Sequence, residues 1–350
     1  MTNSNTCSHN KIVLDQGPQV MKISGFKSKI GIQNMKKVVI TGVSTGIGYA
    51  SAKILCNSGY IVYGSVRTNV DAERIASELG VNFHPLIFDV TDLQGVLNGA
   101  RKVKSELNLE KLKDNKIDLV AFWDERYPYL YKSIKNPPVY LYCKGDLSLL
   151  NQQSVAIVGT RKCSDYGKKI AFRTAKELVS HDFTIVSGLA LGIDTAAHEG
   201  AIAANGKTIS VLVDVHNIYP KENILLSEKI LETGGLLFAE NIPGTELREG
   251  LFVARNRLQS GLSLAVFPIE SNIDGGTMHT AKFAKEQGRL LYCPDLRSIS
   301  NYPLNSPVHS GIDELVSDGD AEVYTSSSYR ELSNALELRK NILYSNIESK

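Results

Sequence analysis

Cysteine is scarce and unpatterned: Cys7, Cys56, Cys143, Cys163 and Cys293 are the five in 350 residues, and no C-x-x-C pair is among them. That argues against a zinc ribbon, a dithiol couple or a disulfide framework, and it suits a reducing cytoplasm. Long apolar runs are absent too; none approaches the roughly 20 residues that cross a bilayer, so no membrane partner is expected. The opening MTNSNTCSHNKIVLDQ lacks the apolar core of a secretory signal, and the expected location is therefore cytoplasmic. Charge of one sign is also missing, with 39 Lys and Arg against 37 Asp and Glu, so bulk electrostatics selects no partner. What remains, 43% hydrophobic and 22% charged residues, is the composition of an ordinary globular chain, long enough for two domains.

The most regular part of the chain runs from Val155 to Pro294. Apolar runs recur there as VAIVG, FTIVSG, TISVLVD, LLFAE, LAVFPIE and RLLYCP, most of them separated by helical patterns. Six buried-type strands alternating with helices predict an α/β fold, a Rossmann-like doubly wound parallel sheet covered on both faces. Right-handed crossovers then bring the turns after each strand to one sheet edge. Those turns carry Gly159-Thr160-Arg161, then Ser187-Gly188 through Gly192, then Glu270 through Gly276-Thr277. Glycine-containing turns that open helices are anion sites, and several along one edge make an extended phosphate-binding surface.

Ahead of this block, KVVIT leads into Gly42-Val43-Ser44-Thr45-Gly46-Ile47-Gly48 and a helical pattern, followed by IVYGSVR, a second helix and PLIFDV. This is a partial dinucleotide-binding βαβαβ unit, whose glycines would let a pyrophosphate approach a helix N-terminus. The expected organisation is a polar tail over residues 1–34, this partial unit over 35–92, a charged connector and an aromatic, proline-rich strap over 93–150, the main domain over 151–325 and a tail over 326–350. Half of a doubly wound sheet leaves an unpaired edge that something must cover. The strap, which holds the single tryptophan, is expected to pack on the following sheet.

Two Tyr-x-x-x-Lys spacings, Tyr131 to Lys135 and Tyr140 to Lys144, invite an oxidoreductase reading. Such a pair works only on one continuous helix, and Pro128 and Pro137-Pro138 interrupt the surroundings, so the spacings read as coincidence. Asp194 and His198 are spaced to share a helix face and could hold a metal, but no third ligand accompanies them, and a hydrogen-bonded structural pair is expected. Between Val155 and Ser300 basic and acidic residues nearly balance, so a nucleic-acid site must be local: Arg161, Lys162, Lys168, Lys207, Arg255 and Arg257, expected at one edge. Tyr166 and Tyr219 are the candidate stacking residues.

The segment from Lys36 to Asp92, with TG-x-x-x-GIG at Thr41 to Gly48 and DVTD at Asp89, resembles the start of a short-chain dehydrogenase/reductase. That resemblance implies an NADP site formed by Gly42, Gly46, Gly48, Arg67 and Asp89, here vestigial because the family's catalytic segments have no match. From Lys116 to Val323 the chain resembles the DNA-processing protein A (DprA, or Smf) family. The matching residues are Asp124, Tyr127 and Pro128, then Pro138 to Gly145, AIVGTR, the S-x-YG of Ser164 to Gly167, SGLALGID-x-x-AH, YP-x-EN, RNR at Arg255 to Arg257 and G-x-T. This implies a non-catalytic single-stranded DNA-binding protein that protects incoming DNA in natural transformation, acts as a homodimer, hands the strand to a RecA-type recombinase and requires no cofactor. The residues implied for DNA are Gly159, Arg161, Lys168, Ser187, Gly188, Gly192, Lys207, Arg255, Arg257, Gly276 and Thr277, while Glu240 and Glu270 would orient loops. Departures are the dehydrogenase-like half where a small helical domain is usual, DGGTMHT in place of a serine-rich turn, and the lack of a winged-helix segment. The competing readings are a nucleotide-sensing Rossmann-like protein and an NADP-dependent reductase. The turn at Gly275 is similar to that of phosphoribohydrolases, but Thr280 stands where their glutamate would be.

Overall fold

The computed structural model describes residues 20–23, 37–89, 91–106, 112, 115–299, 302 and 306–348. It divides into two compact units, Met1–Lys111 and Leu112–Lys350.

The first unit has strands β1 (Val20–Ile23), β2 (Lys37–Ile40), β3 (Ile61–Val66) and β4 (Phe83–Ile87), with helices α1 (Gly46–Asn57), α2 (Asn69–Leu79) and α3 (Leu93–Glu106). Sheet order is β1-β2-β3-β4, with β2, β3 and β4 parallel. The βαβαβ core is thus the one expected from the sequence. The expected tail does more than trail: Val20 pairs with Ile40 and Ile23 with Lys37, so β1 runs antiparallel along the open edge of β2. Backbone N–H and C=O groups on that edge need partners, and this segment supplies them. Pro85 can sit in β4 because β4 is the opposite edge strand. α3 makes a helix of the start of the stretch expected as a connector.

The second unit begins with β5 (Asp118–Ala121) and β6 (Tyr140–Gly145) and continues with β7 (Ser154–Val158), α4 (Asp165–Ser180), β8 (Thr184–Ser187), α5 (Ile193–Ala203) and β9 (Thr208–Val211). Next come α6 (Ile224–Glu232), β10 (Leu236–Ala239), α7 (Glu249–Leu262), β11 (Ala265–Pro268), α8 (Gly276–Glu286) and β12 (Leu290–Pro294). The described chain closes with α9 (Ser310–Ser317), β13 (Glu322–Tyr324) and α10 (Tyr329–Glu348). The sheet order is β13-β12-β11-β7-β8-β9-β10-β6-β5. From β13 to β10 every pairing is parallel, and β6 is the one reversed strand. All residues of β7 through β11 are buried, the mark of parallel strands covered on both faces. Along β7, Ala156 and Val158 join one core cluster with Leu258 and Leu262 of α7, whereas Val155 and Ile157 join another with Ala171 of α4 and Ala197 of α5.

Two expectations change here. The strap does not simply lie on the sheet, because β6 pairs with β10 and prolongs it by two strands. The C-terminal segment is a 20-residue helix, α10, and not a loose tail. Leu332, Leu336 and Leu343 repeat at helical spacing and are buried in the cluster that holds Phe267 and Tyr292. Arg339 reaches the Gly288 carbonyl from the same helix.

Polar groups inside the core are specific. Thr208 Oγ1 gives its hydrogen to the Ile185 carbonyl at 2.8 Å, so His198 Nδ1, 2.7 Å from that oxygen, must be the donor. His198 is neutral, and burial pushes its pKa down to about 3. Leu336→Ala is expected to cost about 3 kcal/mol, seen as a lowered urea midpoint. Because the folded pKa of His198 lies below the unfolded value of about 6.5, its contribution is fully present above that pH and is lost as pH falls toward 3. His198→Gln should flatten the acid side of the stability profile, measured by thermal unfolding between pH 7 and pH 4.

Candidate nucleic-acid interface

Chain order runs β7, β8, β9, β10 in one direction across the sheet and then returns to place β11 on the other side of β7. At such a reversal the crossovers diverge, and ligand sites form beyond the carboxyl ends of the strands. The turns after β7, β8, β9 and β11 all lie at this edge. They are locked to one another: Thr160 N donates to the Glu270 carbonyl at 2.8 Å, and Asn223 Nδ2 of the YP-x-EN segment donates to the Leu189 carbonyl at 2.8 Å. Gly192 has φ +85°, and a Cβ on it would lie 2.6 Å from the carbonyl oxygens of Thr160 and Arg161, so the second turn closes on the first only with glycine there. Gly159 packs on Ile193 in the same contact.

The helix N-termini at this edge are not equivalent. α4 is capped by Ser164 Oγ on Gly167 N at 2.9 Å, and the Glu270 carboxylate accepts from Ser164 N at 2.8 Å. The turn before α5 is held by Asp194, whose Oδ2 accepts from Gly188 N at 3.1 Å and Ala190 N at 3.3 Å. α8 starts at Gly276 with no side-chain cap and no acidic residue in its first turn. Two of the three anion cradles expected from the sequence are therefore filled by the protein's own carboxylates. The third, at Gly276 and Thr277, has no side-chain cap among the described residues and presents the positive end of the helix dipole.

Arg161 is exposed, and among the described residues it makes no ion pair; its guanidinium lies 5.8 Å from the ring centre of Phe252 on α7. Phe252 in turn meets Tyr219 with ring centres 5.5 Å apart. One helical turn along α7, Asn256 Nδ2 donates to the Gly276 carbonyl at 3.2 Å. Tyr219, Phe252, Arg161 and Asn256 thus trace a path from the turn after β9 to the open end of α8. A shallow cleft beside it is lined by Gly188, Asp214, Asn217, Tyr219, Phe252 and Arg255, among others. Asp214 organises its wall by accepting from His216 N, Asn217 Nδ2 and Gly244 N.

The other cations expected in the site are placed differently. Arg255 is buried and donates through Nη1 to the Val211 carbonyl at 2.7 Å; burial pushes its pKa down to about 10. A Cβ on Gly188 would sit 1.8 Å from that Nη1, which is why glycine follows Ser187. Ser187 itself is buried, its Oγ donating to the Ile157 carbonyl. Arg257 is engaged with Glu240 through both terminal nitrogens, at 2.5 and 2.7 Å, and reaches the Asn136 carbonyl at 3.2 Å. Lys207 opens β9 and so lies at the amino end of the strands, opposite the turns, with Nζ on the Thr233 carbonyl at 2.7 Å. The single-edge cluster expected from sequence therefore reduces to Arg161, Lys162 and Lys168, with Arg255 and Arg257 beneath it and Lys207 absent from it. Lys168 is exposed near Asp165, and Tyr166 packs on Tyr302 away from the Phe252 path. Asp194 and His198 bind separate partners and not each other, and no metal-type cluster of three occurs among the described residues. Phe252 escaped the sequence reading; its signal was an aromatic one helical turn ahead of Asn256 in the RNR segment.

The first unit keeps the geometry of its glycine-rich turn. Gly42 and Gly46 have φ of +67° and +63°, and Gly42 N donates to Ser65 Oγ at 2.9 Å. Arg67 and Asp89 are ion-paired to each other at 3.3 Å. Of the Tyr-x-x-x-Lys pairs, Tyr131 is fully buried with its hydroxyl on the Leu258 carbonyl, and Tyr140 and Lys144 lie in β6.

The family model of DNA recombination-mediator protein A matches residues 118–336, and that of short chain dehydrogenase matches residues 36–118, past Asp92 and through α3. The DNA processing protein DprA of Bacillus subtilis is 37% identical over 186 residues, which are 53% of this chain and 62% of that protein. The chain thus spans less than two thirds of that relative. The crystal structure of DprA from Streptococcus pneumoniae superposes with a TM-score of 0.57 at 30% identity, covering 75% of this chain and 87% of that one. DprA from Helicobacter pylori, whose structure was described for its single-stranded DNA binding mode, gives 0.54 at 30% identity, covering 63% and 95%. With more than half of its length matched, from β5 into α10, the chain belongs to the DNA recombination-mediator protein A family.

Proposed function

We propose that the chain binds single-stranded DNA along the carboxyl edge of its nine-stranded sheet. It protects incoming DNA in natural transformation and, as a homodimer, passes the strand to a RecA-type recombinase without catalysing a reaction. The observation that carries this reading is the exposed Arg161, without an ion pair among the described residues, beside Phe252 and Tyr219, on a path that ends at the uncapped N-terminus of α8. A row of one cation, two aromatic faces and a helix N-terminus without a side-chain cap suits a backbone of phosphates with splayed bases, because every base offers a π-face and every phosphate a negative charge. The named single-stranded DNA binding of the Helicobacter pylori relative supports it. A nucleotide at the β7/β11 reversal is disfavoured, since Glu270 already fills the α4 N-terminus there.

The test is an oligonucleotide titration at several salt concentrations on the whole chain. Arg161→Ala should reduce the slope of log K against log salt by about 0.7. Phe252→Ala should weaken binding about tenfold, within the range of one lost base stack. Lys207→Ala should change neither, because Lys207 lies at the opposite end of the strands. Unchanged affinity of Arg161→Ala would defeat the reading. Titration with NADPH tests the vestigial site at Gly42, Gly46 and Gly48: no binding is expected from a unit without the second half of a dinucleotide fold.

A further inference from the structure

Glu270 is fully buried two residues after the end of β11, and among the described residues no ion pair includes it. Its carboxylate is surrounded by donors: Ser164 N at 2.8 Å, Ser164 Oγ at 2.5 Å and the Tyr302 hydroxyl at 2.5 Å. Its main-chain carbonyl accepts from Thr160 N at 2.8 Å. One residue therefore grips the turn Thr160–Ser164 at both ends, and Arg161 lies between the two grips. α4 rests against the same carboxylate, since a Cβ on Gly167 would be 2.4 Å from Glu270 Oε2.

Tyr302 is held from its other side. Its single hydroxyl hydrogen goes to Glu270, so His309 Nδ1, 3.2 Å from the hydroxyl oxygen, is a donor to it. Burial, reinforced by Glu270, pushes the Tyr302 hydroxyl far above its ordinary value, and it remains a donor throughout the physiological range. The turn around His309 is fastened to the loop after β11 by Ser271 N on the Val308 carbonyl at 2.7 Å. The chain of contacts thus runs from the segment before α9, through Tyr302 and Glu270, into the turn that carries Arg161.

We infer that Glu270 and Tyr302 are positioning residues for Arg161, holding its turn in the conformation that presents the guanidinium beside Phe252. A carboxylate suits this position because it accepts all three hydrogen bonds and donates none. Glutamine would bring one acceptor oxygen and a donor that faces donors. The inference rests on the reading of Arg161 as a phosphate ligand.

The experiment compares the whole chain with Arg161→Ala, Glu270→Gln, Tyr302→Phe and the Arg161→Ala/Tyr302→Phe double variant. Oligonucleotide affinity is measured across salt, and thermal unfolding shows which variants are folded. Tyr302→Phe and Glu270→Gln should each weaken binding about tenfold, as expected for loss of a charge-assisted hydrogen bond. Each should also lower the salt slope by about 0.7, as Arg161→Ala does. In the Arg161→Ala background Tyr302→Phe should cost nothing further, because a residue that acts only through Arg161 has nothing left to position. If Glu270→Gln does not fold, Tyr302→Phe decides, since it removes only a hydroxyl. Wild-type affinity in Tyr302→Phe, or a loss that adds in full to that of Arg161→Ala, overturns the positioning role while leaving DNA binding at Arg161 intact. An Arg161→Ala variant that binds normally overturns both.

Discussion

Parallel pairing of β7 with a neighbour on each side is the constraint from which the arrangement of the second unit follows. A parallel strand cannot be reached by a hairpin, so each connection must cross a face of the sheet, and the hand of that crossing is all but fixed. The carboxyl ends of β7, β8, β9, β10 and β11 then share an edge, and the helices that follow begin there. Because the chain reverses direction after β10, the turns following β7 and β11 lie side by side at the point of divergence. Arg161, Phe252, Tyr219 and the start of α8 are neighbours for that reason, although they span more than 100 positions of sequence.

Helix N-termini crowded onto one edge would repel one another and leave N–H groups without partners. The protein answers with its own carboxylates: Glu270 at α4 and Asp194 at the turn before α5. Asp194 is held at a cost, since burial raises its pKa against the pull of Arg255 and of the Ala190 and Gly188 N–H groups. Of the three glycine turns, two are filled from within, and the one that opens α8 has no side-chain cap. Arg255, buried on the Val211 carbonyl, and Arg257, ion-paired with Glu240, are held by the fold and not presented at this edge.

The first unit shows the same physics at smaller scale. Three parallel strands and their helices leave one edge of β2 open, and the antiparallel β1 closes it. Its glycine-rich turn retains the left-handed backbone at Gly42 and Gly46, a conformation that the sequence alone signals.

Much of this was legible in the residues. Period and β-branched content in VAIVG, FTIVSG and TISVLVD determined buried strands, the intervening patterns determined helices, and alternation of the two determined a parallel sheet with its turns on one edge. Gly192, Gly188 and Arg161 stood out because special backbone and charge are local properties. Other features could not be read locally. The strap's β6 joins the sheet only because β10 offers an unpaired edge, and α10 is ordered by the core that buries Leu336. Lys207 and Arg161 look alike in sequence, yet strand direction sends one to each end of the sheet. Whether an arginine meets solvent, like Arg161, or a half-buried carboxylate, like Arg257, depends on which distant residue the fold brings within hydrogen-bonding reach, and only tertiary structure decides that.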